Sequence, residues 1–199
     1  MRILLRAVAL TVAVGGFLAV GSPVLLAGLV AQGSQVSGAQ SLAPYVPTPQ
    51  DVAERMLELA GVTRDDVVYD LGCGDGRLVI TAASKYGARG VGIDIDPERI
   101  AESEANARKA GVDRLVSFRL QDAMTVDVSP ATVVTLYLLS SSNLKLRPQL
   151  TTQLRPGARI VSHAFSMGDW KPEKVETFRD ANGSSRTLYL WKADGQVRQ

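Results

Sequence analysis

Asp70 is where chemistry enters this sequence. It closes a short run of β-branched and aromatic residues, Val67-Val68-Tyr69, and is followed by Leu71-Gly72-Cys73-Gly74-Asp75-Gly76-Arg77. A run of that type makes a short core strand, and the glycines after it permit positive φ and carry no Cβ to hold a ligand away. A helix begins beyond them, and its first N–H groups, which lack intrahelical partners, are expected to face the same gap. Strand, glycine turn and helix in that order make a seat for a small molecule.

Glycine turns of this kind serve several nucleotide binders, and two of them do not fit. The NAD fingerprint is Gly-x-Gly-x-x-Gly. Here the third glycine comes one residue early, and Arg77 stands where that pattern has glycine. A P-loop needs Gly-Lys-Ser/Thr, and no such triplet follows. Asp70 separates the cases further, because a carboxylate just before the first glycine repels a pyrophosphate and suits a ligand with a cationic end. S-adenosylmethionine, with its ammonium and sulfonium, is such a ligand.

Asp70-Leu-Gly-Cys-Gly-Asp-Gly76 resembles the first motif of the class I (seven-strand) S-adenosylmethionine-dependent methyltransferases. The likeness covers most of residues 44 to 192. Gly90-Val-Gly-Ile-Asp94 resembles the family's second strand, which ends in an acid that binds the ribose hydroxyls, and Leu120-Gln121-Asp122-Ala123 resembles the end of the third, where an acid meets the adenine amino group. The resemblance therefore implies a cofactor site built from Asp70, Gly72, Gly74, Asp94 and Asp122. It implies a Rossmann-like α/β fold too: a doubly wound, mostly parallel seven-stranded sheet ending in an antiparallel hairpin.

A finer likeness lies in Pro44-Tyr-Val-Pro-Thr-Pro49, in Tyr137-Leu-Leu139, and in Pro156-Gly-Ala-Arg-Ile-Val-Ser-His163 followed by Asp169-Trp170. These resemble a small group that includes membrane-anchored mitochondrial protein-lysine methyltransferases and bacterial relatives. That group usually has proline where this chain has Ser140. The comparison places the segment around Tyr45 and Thr48 over the cofactor, near its methionine end. It implies a protein lysine as methyl acceptor, with a small molecule as the alternative. A non-catalytic, exported binder of S-adenosylmethionine or a nucleoside is the reading outside the enzyme class.

Methyl transfer asks little of side chains, since the sulfonium already makes the methyl group electrophilic; holding acceptor and sulfonium close and collinear, without water, is the main task. A lysine amine, with a usual pKa of ~10.4, must first lose a proton, which favours a desolvating aromatic slot over a strong base. Tyr137 is the candidate for that slot, with Ser140 and Trp170 beside it. His163, the only histidine, is the candidate proton acceptor. Cys73 sits between glycines with no base near it in sequence, which argues against a nucleophile. No cluster of metal ligands is visible.

The elements that position these residues alternate from Asp66 onward, as a doubly wound sheet requires. Before them, Thr48 is expected to cap a helix with Pro49 in its first turn, Val52, Met56, Leu59 and Ala60 on its apolar face, and Gly61 ending it. Helices over Leu78 to Tyr86 and from Asp96-Pro97 to Ala110, and strands over Arg89 to Ile95, Arg114 to Leu120 and Ala131 to Leu138, follow. Asn143 to Leu154 reads as a helix that Pro148 kinks or restarts, and Ala158 to His163 as a fifth strand. Lys174 to Arg179 and Arg186 to Lys192 read as a hairpin around Asn182-Gly183-Ser184.

Composition is globular, with 46% hydrophobic and 21% charged residues. Lysine and arginine total 22 against 20 acids, and the two extra positives are Arg2 and Arg6. From residue 41 the charges balance, so there is no electrostatic footprint for nucleic acid. Residues 1–40 read as a signal peptide or membrane anchor with a polar linker, and 41–199 as the methyltransferase domain. Ala7 to Ala31 is uncharged and long enough for the ~20 residues of a span, while Ser37 and Ala39 offer a cleavage site. Arginines before the stretch put the domain outside, anchored or exported, by the positive-inside rule; a misread orientation or start site would place it on the cytoplasmic face. The domain is expected to be monomeric.

Overall fold

The computed structural model describes residues 41–199, which carry four helices and seven strands: α1 Gln50–Ala60, β1 Val67–Leu71, α2 Arg77–Tyr86, β2 Arg89–Asp94, α3 Pro97–Ala110, β3 Val116–Leu120, β4 Val133–Leu136, α4 Ser140–Gln153, β5 Arg159–His163, β6 Lys174–Arg179 and β7 Ser185–Lys192. The strands form one sheet in the order β3-β2-β1-β4-β5-β7-β6. The first five run parallel, and β7 lies antiparallel to both β5 and β6. This is the doubly wound sheet with a terminal hairpin that the sequence predicts.

The chain leaves β1 for β2 and β3 on one side and returns to β4 on the other, so the strand order reverses at β1. Ligands of open α/β sheets bind at such a switch point, beyond the carboxyl ends of the strands. Asp70 is next to last in β1, Asp94 is last in β2, and Asp122 follows β3 by two residues. Topology thus brings three acids, spread over more than fifty residues of sequence, to one edge of the sheet.

Alternate residues of β1, β4 and β5 enter two cores. Tyr69, Leu71, Ile93, Val134, Leu136 and Ile160 join one core, with Leu146 and Leu150 of α4 and the pair Trp170 and Trp191. Val68, Val133, Val161 and Leu188 enter the other, beneath α1 and α2. All four residues of β4 are buried, as its apolar run implies for a central parallel strand. At Gly92 a Cβ would lie 2.6 Å from the Phe118 ring and 2.8 Å from Cys73 Sγ. Only glycine lets β3 and the glycine turn close on β2 there.

Local chemistry sets the element ends. Asp96 caps α3 by accepting from the Glu98 N–H at 2.8 Å, with Pro97 in the first turn and Gly111 left-handed at the end, as expected. The expectation fails at α1: the helix starts at Gln50, Pro49 is its cap residue, and no side chain caps it. Leu57, not Leu59, belongs to its fully buried face. α4 begins at Ser140 instead of Asn143 and runs through Pro148. Proline is tolerated there because the carbonyl it strands, on Leu144, lies on an exposed turn. Ser140 takes the first helical position of α4, a position where proline is also favourable.

Behind the sheet's other end, Asp66 ties the strand starts together. It accepts from the Thr63 N–H at 2.8 Å and from Thr132 Oγ1 at 2.6 Å, and pairs with Arg159. Arg159 also donates to the Ala60 carbonyl at 2.8 Å. In the hairpin, Asp180 accepts from the Asn182 and Ser184 N–H groups at 3.0 and 2.8 Å and from Arg186 Nε at 2.7 Å.

Among the described residues no helix is long and apolar enough to cross a membrane. The signal or anchor expected in residues 1–40 lies outside the described residues.

Candidate active site

A cavity of about 610 Å³ opens at the switch point. Its floor is Asp70, Gly72, Cys73, Gly74, Asp94 and Asp122, its roof is the segment 41–48, and Tyr137 and Leu138 close one end. Every cofactor-site residue named from the sequence, Thr48 included, therefore lines one space.

Asp70 is 3% exposed, and its Oδ1 accepts from Thr135 Oγ1 at 2.7 Å. The sheet register sets Thr135 directly beside it. Burial pushes the Asp70 carboxyl up to about 7; the Thr135 bond opposes that rise, while Asp94 and Asp75 add to it. A buried carboxylate held so high is short of a positive partner. The cavity it lines also carries Asp75, Asp94, Asp96, Glu98 and Asp122, against Arg77 and Arg99. This surplus of negative charge fits a ligand with ammonium and sulfonium groups and rejects a pyrophosphate.

The glycine turn differs from expectation in how its N–H groups are used. Gly72 and Cys73 both donate to the Ile93 carbonyl at 2.9 Å, Gly74 donates to Asp94 Oδ2 at 2.9 Å, and Gly76 donates to the Cys73 carbonyl at 2.9 Å. The Arg77 N–H is taken by Asp75 Oδ1 at 3.2 Å. These donors are turned inward, so the turn is no anion cradle, which agrees with the acid at its head. Asp94 also accepts from the Asp96 N–H at 3.0 Å. Both carboxylate oxygens of Asp94 are thus fixed in place by backbone donors.

Gly74 is bare for a reason invisible in sequence: a Cβ there would lie 2.5 Å from the Tyr45 ring, at a φ of 53°. Tyr45 lies across the turn, and the Arg99 guanidinium sits 4.7 Å from its ring centre. Thr48 does not cap α1; its carbonyl accepts from Arg77 Nη1 at 2.5 Å, and Arg77 also grips Asp75. Ser142 at the start of α4 donates to the Leu42 carbonyl. The roof is therefore tied down at both ends.

The cavity lining also includes Leu42, Ala43, Pro44, Tyr137 and Leu138, which carry no charge. Tyr137 packs on His163, ring centres 4.1 Å apart, and on Phe165 at 6.3 Å. His163 is fully buried behind Tyr137, and neither ring nitrogen has a partner. Burial, aided by Arg186 and opposed by Asp180, lowers its pKa to about 4. The ring is neutral at ordinary pH and does not line the cavity. Trp170 and Ser140 are not beside Tyr137 in the slot. Trp170 is buried against Trp191 and beneath Arg198, and Ser140 is exposed on α4. Sequence reasoning missed Phe165, Leu42 and Arg77, whose places depend on distant contacts.

Cys73 is 4% exposed, and burial together with the charges of Asp70 and Asp94 drives its thiol far above the usual range. It is no nucleophile. Among the described residues no group of side chains could hold a metal ion.

Residues 70–174 match the family model of the ANTKMT methyltransferase domain. The chain is similar to a protein-lysine N-methyltransferase of Saccharolobus islandicus (strain REY15A), 48% identical over 149 residues that make up 74% of this chain and 92% of that protein. It is also similar to an adenine nucleotide translocase lysine N-methyltransferase of Mus musculus, 32% identical over 66% of this chain and 57% of that one, so it spans little more than half of the mouse protein. Among solved structures, an RNA methyltransferase of Salinibacter ruber in complex with S-adenosyl-L-homocysteine is 52% identical with a TM-score of 0.72, over 77% of this chain and 97% of that one.

Proposed function

The chain belongs to the ANTKMT methyltransferase domain family and is an S-adenosylmethionine-dependent methyltransferase of the class I fold, and from that premise we propose that it methylates lysine side chains of proteins. The observation that carries the reading is that Tyr137, with the uncharged Leu42, Ala43, Pro44 and Leu138, lines a cavity whose charged residues are mostly acids. An alkyl chain ending in a neutral amine fits such a lining. A nucleic acid would bring its phosphates against Asp75, Asp96 and Glu98, and residues 41–199 supply no net positive charge to offset them.

S-adenosylmethionine supplies an activated methyl group when bound. Asp70 would receive its ammonium, Asp94 the ribose hydroxyls and Asp122 the adenine edge, with Gly72, Gly74 and Thr48 lining the same cavity. Asp70 fits that role because it is buried, has a single side-chain partner and lacks a counter-charge. Tyr137 aligns the acceptor and excludes water. A neutral amine held in line with the methyl group would accept it as the carbon–sulfur pair stays with sulfur, and the alkylammonium so formed would release one of its two N–H protons to solvent. The low pKa of His163 suits it to backing Tyr137 as a positioning residue; a base would need a higher one.

Residues 1–40 we read as a signal or membrane anchor joined to a domain of residues 41–199. The supporting feature is the uncharged stretch from Ala7 to Ala31 behind Arg2 and Arg6. The domain acts as a monomer in this reading. The substrate reading is tested by incubating the full chain with methyl-labelled S-adenosylmethionine and a cell extract, then digesting with protease or ribonuclease. Protease-sensitive label is expected; ribonuclease-sensitive label overturns the reading.

A further inference from the structure

Among the described residues Ala164 is the sole residue other than glycine with a positive φ, 66°. The Phe165 N–H donates to the His163 carbonyl at 2.8 Å, an i to i+2 bond that closes a γ-turn around Ala164. The positive-φ form of that turn is rare and strained. Strain of this kind persists only where the surroundings over-determine it, and it gathers at functional sites.

The surroundings here do over-determine it. The Ala164 N–H donates to the Thr187 carbonyl at 2.8 Å, which pins the turn to β7. Asn143, fully buried in α4, donates through Nδ2 to Ser162 Oγ at 3.2 Å and to the Phe165 carbonyl at 3.1 Å. Two elements well apart in sequence thus hold one bend immediately after β5. Its effect is to swing Phe165 alongside Tyr137, ring centres 6.3 Å apart and planes 28° apart. Phe165 is half-buried there, so part of the residue remains accessible from solvent.

We propose that Phe165, which lies outside the cavity lining but stacks on Tyr137, is a specificity-determining residue for the acceptor, the two rings receiving the alkyl stem of an incoming lysine while it is still an ammonium, before it gives up its proton and enters the slot. The inference rests on the lysine reading above. Aromatic faces attract ammonium groups and pack well on methylene chains, and a neutral base is not needed for that role.

The test uses the full chain, labelled S-adenosylmethionine and N-acetyl-lysine methylamide as the acceptor probe, with Phe165→Ala, Phe165→Leu and Phe165→Tyr. The alanine variant should raise the probe KM about fivefold to tenfold, with cofactor affinity measured by calorimetry unchanged. Tyrosine should restore KM and leucine should not, whereas a residue that only packs would be rescued better by leucine. Wild-type KM in the alanine variant, or rescue by leucine and not tyrosine, overturns the inference alone. A wild-type chain that binds cofactor yet labels lysine neither in the probe nor in the protein of a cell extract overturns the lysine reading and this inference with it.

Discussion

Thr135 Oγ1 meets Asp70 Oδ1 at 2.7 Å across the β1–β4 pairing, in the middle of the sheet and at the floor of the cavity. The threonine orients the carboxylate but brings no charge, so the counter-charge must come with the ligand. Asp70→Asn keeps the shape and removes that pairing. Cofactor affinity should fall about a hundredfold or more, as for breaking a buried charge pair, while the melting temperature of the ligand-free protein at pH 7.5 should not fall and should rise if the buried carboxylate is costly when charged. Calorimetric titration of both proteins checks this, and an affinity within a few-fold of wild type would misplace the ammonium.

The raised Asp70 pKa has a sign that can be followed. With the carboxyl pushed up to about 7, the ligand-free protein takes up a proton as pH falls through 7, and that proton competes with the ammonium. Affinity should weaken below pH 7 in the wild type and stay flat in Asp70→Asn. Stability of the ligand-free domain runs the other way: the fold holds this proton where the unfolded chain has released it, so the contribution of Asp70 is lost as pH rises toward 7. Titrations and thermal melts at pH 5.5, 6.5 and 7.5 separate the two effects.

His163 should leave no mark on the pH–rate profile. A ring kept neutral down to about pH 4 cannot supply an ionisation between 5 and 8. The rate at subsaturating acceptor should climb with pH as lysine amines deprotonate. A limb near 6.5 that vanishes in His163→Phe would make the histidine a base after all.

Tyr45 and Gly74 are coupled by contact, and the coupling is measurable. A Cβ at residue 74 meets the Tyr45 ring at 2.5 Å, so Gly74→Ala should displace the roof and weaken cofactor binding. Removing the ring in Gly74→Ala/Tyr45→Ala should recover part of the loss, the remainder being backbone strain at positive φ. A double mutant no better than the single would mean that the ring moves aside freely.

Away from the cavity, Asp66 joins Thr63, Thr132 and Arg159 at 5% exposure. Burial presses its pKa upward, but those partners outweigh it and the carboxyl titrates below its ordinary value. Its stabilising contribution is therefore present at neutral pH and lost as pH falls through that depressed value. Asp66→Asn should cost on the order of 2 kcal/mol in urea unfolding at pH 7, with cofactor affinity unchanged.

Much of this site was legible because topology does the gathering. Acids at the ends of apolar runs, glycines after the first of them and a terminal Asn182-Gly183 turn are local signals, and each appears in the fold where the pattern put it. What stayed hidden depends on partners far away in sequence. Tyr45 crosses the glycine turn because residues 41–48 fold back over it. Ala164 bends because Asn143 and Thr187 hold it. Trp170 leaves the acceptor slot for Trp191. Thr48 fails as a cap because Pro49, already extended at φ −52° and ψ 146°, takes the cap position. The glycine-turn N–H groups turn inward because Ile93 and Asp94 reach them first.

The chemical identity of the methylated product tests the central claim most directly. Protein labelled by the full chain and methyl-labelled S-adenosylmethionine would be hydrolysed in acid and its amino acids separated. Label is expected in Nε-methylated lysines. Label that is absent from lysine, or that is lost as methanol in mild base as a carboxyl ester would be, contradicts the slot's assignment to an amine.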